Sequence, residues 1–232
     1  MKIFVNDRLV AGRARLGKIA AGVGMASLFV GLIVSLVYPT TAYFYISLAC
    51  LLFGIVASSV GMIHMKRWVR QPRADQVIDR GLKGFDDRYR LYHYKLPAPH
   101  VLLAPSGLYV LTALLQDGVI HYEGGKWRRD FSARRLLGFM AEEGLGRPFE
   151  EADGEVRSLQ KHLEKNELAD GVEIENALVF VHPKAQLEIQ DPPRPVLAPK
   201  DLKRVIRGGD RKMPADRYRR LLELFEGEAG SE

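Results

Sequence analysis

"HVLLAPSGLYVLTALLQDG", His100–Gly118, reads as two short apolar strands joined by a Pro105-Ser106-Gly107 turn and closed by Asp117-Gly118. The strands hold one histidine and one threonine among side chains that are otherwise almost all apolar. Working outward, "ADQVIDRGLKGFDDRYR" (74–90) begins as a short helix. "LYHYK" before the hairpin, and "GVIHYE" and "KWRRD" after it, extend the strands into a β-meander, with Pro97-Ala98-Pro99 and Gly124-Gly125 as turns.

Helical spacing returns at "SARRLLGFMAEE" (132–143) and is clearest after Pro148. There Ala152, Val156, Leu159 and Leu163 recur at helical intervals and form one apolar stripe. Glu150, Glu151 and Asp153 suit the positive end of that helix, and Lys161 and Lys165 the other. "IENALVFVH" has the β-branched and aromatic content of a buried strand. A proline-rich connection (191–199) leads to a short helix with Leu202, Val205 and Ile206. A last helix from Pro214 uses Tyr218, Leu221, Leu222 and Phe225, and 227–232 reads as a disordered tail. Strands mixed with helices in this order make the class α/β (α+β).

The N-terminal third is of another kind. The 47 residues from Ile19 to Met65 contain no Lys, Arg, Asp or Glu. A single membrane crossing needs roughly 20 apolar residues, so this run predicts two transmembrane helices, about 19–38 and 41–65, broken at "YPTT". A cleaved leader would have an apolar core of roughly 7–15 residues, far shorter than this. Small residues at four-residue spacing (Ala20/Gly24, Gly54/Ser58, Ala57/Gly61) are expected to let the two helices approach closely.

Residues 1–18 carry five basic side chains and one acid, and 66–73 four basic and no acid. Positive flanks stay on the cytoplasmic side. The reading is therefore a multi-pass protein of the cell (inner) membrane, with the lipid bilayer as partner and both termini cytoplasmic. Segment 1–18 is expected as a basic cytoplasmic N-terminus, and 66–76 as a basic juxtamembrane linker before a domain at 77–226. With a chain total of +6, the flanks leave −2 for residues 74–232, so the soluble part has no dominant footprint for nucleic acid. Cys50, the only cysteine, lies in the second apolar span. No disulfide framework, thiolate metal site or cytosolic catalytic cysteine is expected.

The order of elements and several local motifs resemble the NERD domain, a nuclease-related module with a restriction-endonuclease-like core. The resemblance covers roughly residues 77–206. Its first signature, glycine-x-x-glycine-acid, is met by Gly81 and Gly84, followed by Phe85. The second runs aspartate-histidine-strand, proline-x-glycine turn, strand ending acid-x-lysine, then glycine. His100, Pro105, Gly107 and Gly118 match it, with Pro99 at the aspartate, Thr112 at the second acid and Leu114 at the lysine. The resemblance implies a restriction-endonuclease-like sheet flanked by helices. Phosphodiester hydrolysis of this type needs carboxylates around Mg²⁺ and a lysine to stabilise charge. Phe85, Pro99, Thr112 and Leu114 offer none of these, so the expectation is a degenerate domain with no catalytic residue, metal or other cofactor.

Three roles stay open. The first is a binding or scaffolding module at the inner membrane face. The second is a membrane-tethered nuclease with a relocated site drawn from Asp86, Asp87, His100, Asp117, His121 and Glu123. The third is an accessory subunit whose hairpin binds another membrane protein. Nucleic-acid binding without cleavage would use "KWRRDFSARR", with Lys126, Arg128, Arg129, Arg134 and Arg135 as the candidate contact surface, or the basic stretch "DLKRVIRGGDRK". It is not favoured over a protein partner, because basic faces are commonly only solvated surface.

Overall fold

The computed structural model describes residues 1–38, 40–130, 144–208 and 213–230. These form two compact units. One contains Asp7–Arg73, and the other combines Met1–Asn6 with the described residues from Ala74 onward.

The first unit is a helical hairpin of α1 (Asp7–Val37) and α2 (Thr41–His64), followed by a π-helical turn at Met65–Val69. Both helices are long and apolar enough to cross a membrane, by length and composition. Helix α1 begins twelve residues before the expected span and takes in Asp7–Lys18, read from sequence as a separate basic segment. The buried positions are Val10, Gly17, Gly24 and Gly31 on α1 and Ser47, Gly54 and Gly61 on α2. The buried positions therefore repeat every seven residues, which keeps one seam facing the partner helix, and of the expected four-spaced pairs Gly54/Ser58 packs against Gly24. A Cβ at Gly24 would lie 2.4 Å from Ser58 N, and one at Gly61 2.4 Å from Ala21 N. Ser47 Oγ donates across the seam to Gly31 O at 2.6 Å. Leu32, Ile33 and Leu36 on α1 and Phe44, Phe53 and Val56 on α2 are exposed.

In the second unit, six strands among the described residues form one mixed sheet in the order β1-β2-β3-β4-β7-β9. They are β1 (Lys2–Val5), β2 (Arg90–His93), β3 (His100–Ala104), β4 (Gly107–Leu114), β7 (Ile174–Phe180) and β9 (Val196–Leu197). The expected hairpin is present, with Val101 opposite Val110 and Leu103 opposite Leu108. Helices α3 (Ala74–Gly81) and α5 (Leu202–Arg207) cover one face, packing Ile78, Leu202 and Ile206, with Leu82 just after α3, on Leu102, Tyr109 and Leu111. Helices α4 (Pro148–Lys165) and α6 (Ala215–Gly230) cover the other, with Leu159, Leu163, Leu221 and Phe225 on Val101, Leu103, Leu108 and Val110. A strand buried on both faces has no polar alternation, which explains the continuous apolar character of His100–Leu114.

The five-strand meander is corrected. β5 (Gly118–Glu123) and β6 (Lys126–Arg129) leave the main sheet and join β8 (Ala185–Ile189) in a second one, ordered β6-β5-β8. The free edge of β4 pairs instead in parallel with β7, Leu108–Leu114 against Ile174–Phe180. Asp117-Gly118 thus makes no hairpin; Gly118 (φ 81°) turns the chain away and donates its N–H to Lys184 O.

Two boundaries also differ from expectation. Strand β1 pairs in parallel with β2, and Phe4 stacks on Tyr92 at 5.0 Å, so residues 2–5 belong to the folded domain. Helix α6 continues to Gly230 because Ala229 packs on the α4/α6 side and its carbonyl accepts from Lys95. The helix read at 132–143 lies outside the described residues.

Candidate functional site

Strand alternation puts Thr112 and Leu114 on the α4 side of β4, and both are almost fully buried, at 2% and 3% exposure. Leu114 packs with Ala152, Leu178 and Phe180. Phe85 lies in the opposite layer, with α3 and α5, stacked on Tyr89 and under the Arg207 guanidinium. Pro99 is in the β2–β3 turn, where its carbonyl accepts from Tyr94 N. The positions that would carry nuclease chemistry therefore do not converge. The matched glycines have backbone reasons of their own. A Cβ at Gly81 would meet Pro199 O at 2.5 Å, and Gly84 has a φ of 93°.

The α4 face is not wholly apolar. Thr112 Oγ1 donates to Glu155 Oε2 at 2.6 Å and accepts from Asn176 Nδ2 at 3.1 Å. The same amide nitrogen donates to Val110 O, and Asn176 Oδ1 is buried without a hydrogen-bond partner among the described residues. Sequence reasoning missed Glu155 and Asn176. The signal for Glu155 was its position three residues after Ala152 and four before Leu159, on the margin of the buried stripe. One carboxylate tied up by a hydroxyl is a structural hydrogen bond and not the oxygen cage a hard divalent cation needs.

A second polar cluster sits between β2, β3 and α3. His93 and His100 are directly opposed in the ladder, with Nδ1 atoms 2.7 Å apart, and His93 Nε2 lies 3.0 Å from Asp79 Oδ1. With His93 neutral, Asp79 accepts from His93 Nε2–H, which leaves His93 Nδ1 as acceptor for His100 Nδ1–H. His93 is fully buried and His100 nearly so. The neighbouring Tyr94 has φ 58°, unusual for a residue with a side chain, and its ring packs edge-on against His100. His93→Leu removes the donor to Asp79 and the acceptor for His100 together. The full chain should lose about 1–3 kcal/mol in chemical denaturation; an unchanged midpoint would refute the relay.

The remaining candidates are separate from both clusters. Asp86 is held by Arg88, whose side-chain hydrogen bond lowers the Asp86 carboxyl below its ordinary range. Asp117 pairs with Arg129, and His121 lies between Asp130 and Glu188, at 2.9 and 3.1 Å. Asp87 and Glu123 are exposed. On the second sheet, Lys126 and Arg128 are exposed on β6, whereas Trp127 turns inward against Tyr122, Phe149 and Phe180. Arg129 is committed to Asp117, and Arg134 and Arg135 lie outside the described residues. Trp127, in the middle of the basic stretch, is thus a packing residue. Elsewhere, burial pushes the phenols of Tyr92 and Tyr218 up. No protein-family model, no curated protein and no solved structure matches this chain.

Proposed function

We propose that this chain is a membrane-anchored, non-catalytic module of NERD-like architecture that binds or scaffolds at the inner face of the cell membrane. One observation carries the non-catalytic part: Phe85, Thr112 and Leu114 are sealed into two different layers of the domain. The order α3–β2–β3–β4–β5–β6–α4–β7, with β4 and β7 paired in parallel, supports the architectural resemblance. Exposed apolar side chains along both long helices support the anchor.

Topology is supported by connectivity. Residues 2–5 and the described residues from Ala74 onward fold together, so both ends of the hairpin lead into the same domain. The basic flanks make the side of that domain cytoplasmic.

Glu155, brought against Thr112, is the observation that favours a tethered nuclease with a relocated site. The test is a nuclease assay on the detergent-solubilised full chain with Mg²⁺ and with Mn²⁺. No cleavage above a buffer control is expected. Cleavage abolished by Glu155→Gln would overturn the non-catalytic reading.

A further inference from the structure

Between Asp7 and Arg73 the sequence has eight basic side chains and one acid, and all nine lie outside the charge-free run. Arg8, Arg13, Arg15 and Lys18 are exposed on the continuous helix α1. Lys66 and Arg67 lie in the π-helical turn after α2, and the Arg70 N–H closes that turn on Met65 O at 2.9 Å. The relative height of the two groups is fixed by Gly17. A Cβ there would lie 2.8 Å from His64 Cβ and 3.2 Å from Met65 N. Arg15 and Lys18 on one helix, and Lys66 and Arg67 after the other, thus flank the same contact within about one turn.

The apolar part of α1 above this level, from Ile19 to Val37, rises about 28 Å, against a hydrocarbon thickness of about 30 Å. With the hydrocarbon filled in this way, the basic level falls at the phosphates of one leaflet. The one acid, Asp7, is more than a helical turn before Arg13.

We propose that Arg13, Arg15, Lys18, Arg67 and Arg70 form a cationic collar that gathers phospholipids of net negative charge around the base of the hairpin. The proposal rests on the membrane reading above. Arginine and lysine side chains near the surface are alike drawn to anionic headgroups by their charge. A zwitterionic headgroup carries its own counter-cation, whereas an anionic one leaves the phosphate charge for the collar. The field fades over a Debye length of about 8 Å at physiological salt, so the effect belongs to the first ring of lipid.

The experiment reconstitutes the full chain into vesicles of phosphatidylcholine alone or mixed with phosphatidylglycerol. Resistance to alkaline carbonate reports insertion, and native mass spectrometry counts the lipids retained on the protein. Insertion is expected in both vesicles, with phosphatidylglycerol enriched roughly tenfold over its share of the mixture. Arg13→Gln/Arg15→Gln/Lys18→Gln/Arg67→Gln should insert and lose the enrichment, while Arg13→Lys/Arg15→Lys/Arg67→Lys should keep it. Insertion without enrichment in the unmodified chain, or enrichment undiminished in the glutamine variant, would overturn the collar and leave the anchor intact. Failure of the unmodified chain to insert would overturn the anchor and the collar with it.

Discussion

Gly61→Leu is expected to break the helical hairpin. The position faces Ala21 backbone atoms at 2.4 and 2.7 Å from where a Cβ would stand. Backbone cannot rotate aside as a side chain can, so the two helices must separate along the whole seam. Separation forfeits the close packing that joins helices where no hydrophobic force acts between them. The cost should exceed about 3 kcal/mol, beyond ordinary overpacking. Gly22→Leu is the control, because nothing lies within 4 Å of its Cβ position. The measure is monodisperse yield and resistance to proteolysis of the solubilised full chain. Equal behaviour of the two variants would remove the seam from this account.

Leu159→Ala should have the largest effect in the other unit. Leu159 is fully buried on α4 between the sheet and α6. Removing a buried leucine side chain costs about 2–5 kcal/mol, depending on how far the neighbours collapse. For a domain of this size that lowers the melting temperature by roughly 5–15 °C. The measurement belongs on the full chain, because a fragment starting at residue 74 lacks β1 and the ring of Phe4 over Tyr92. A melting temperature unchanged in Leu159→Ala would show that α4 does not pack on this sheet.

What could be read from sequence was whatever is encoded locally. A charge-free run specifies two long helices by composition alone, and a stripe at helical spacing specifies α4. The β3–β4 hairpin is legible because its turn chemistry and both strands lie within a few residues. Pairings between distant segments were not legible. Nothing near Leu108–Leu114 states that Ile174–Phe180 will take its open edge, and so Asp117-Gly118 read as one more hairpin turn. Strand β1, at four residues, is too short for any periodicity. The seven-residue seam was obscured because small residues are abundant in these spans, and only the packing selects which of them touch. At the candidate sites, Thr112 and His100 could each be named in advance. Their partners, Glu155 on a later helix and His93 across a ladder, depended on the assembled fold.

The short strand β1 also determines how the domain could ever be detached. Residues 2–5 reach the two long apolar helices directly through Asn6 and Asp7, while the rest of the domain is joined to them through Arg70–Arg73. The domain is thus tethered twice, once by each end of the hairpin. A single proteolytic nick at residues 70–73 would leave it moored by the β1–β2 ladder and the Phe4–Tyr92 stack. Release requires a second cut, or peeling of one edge strand from the sheet.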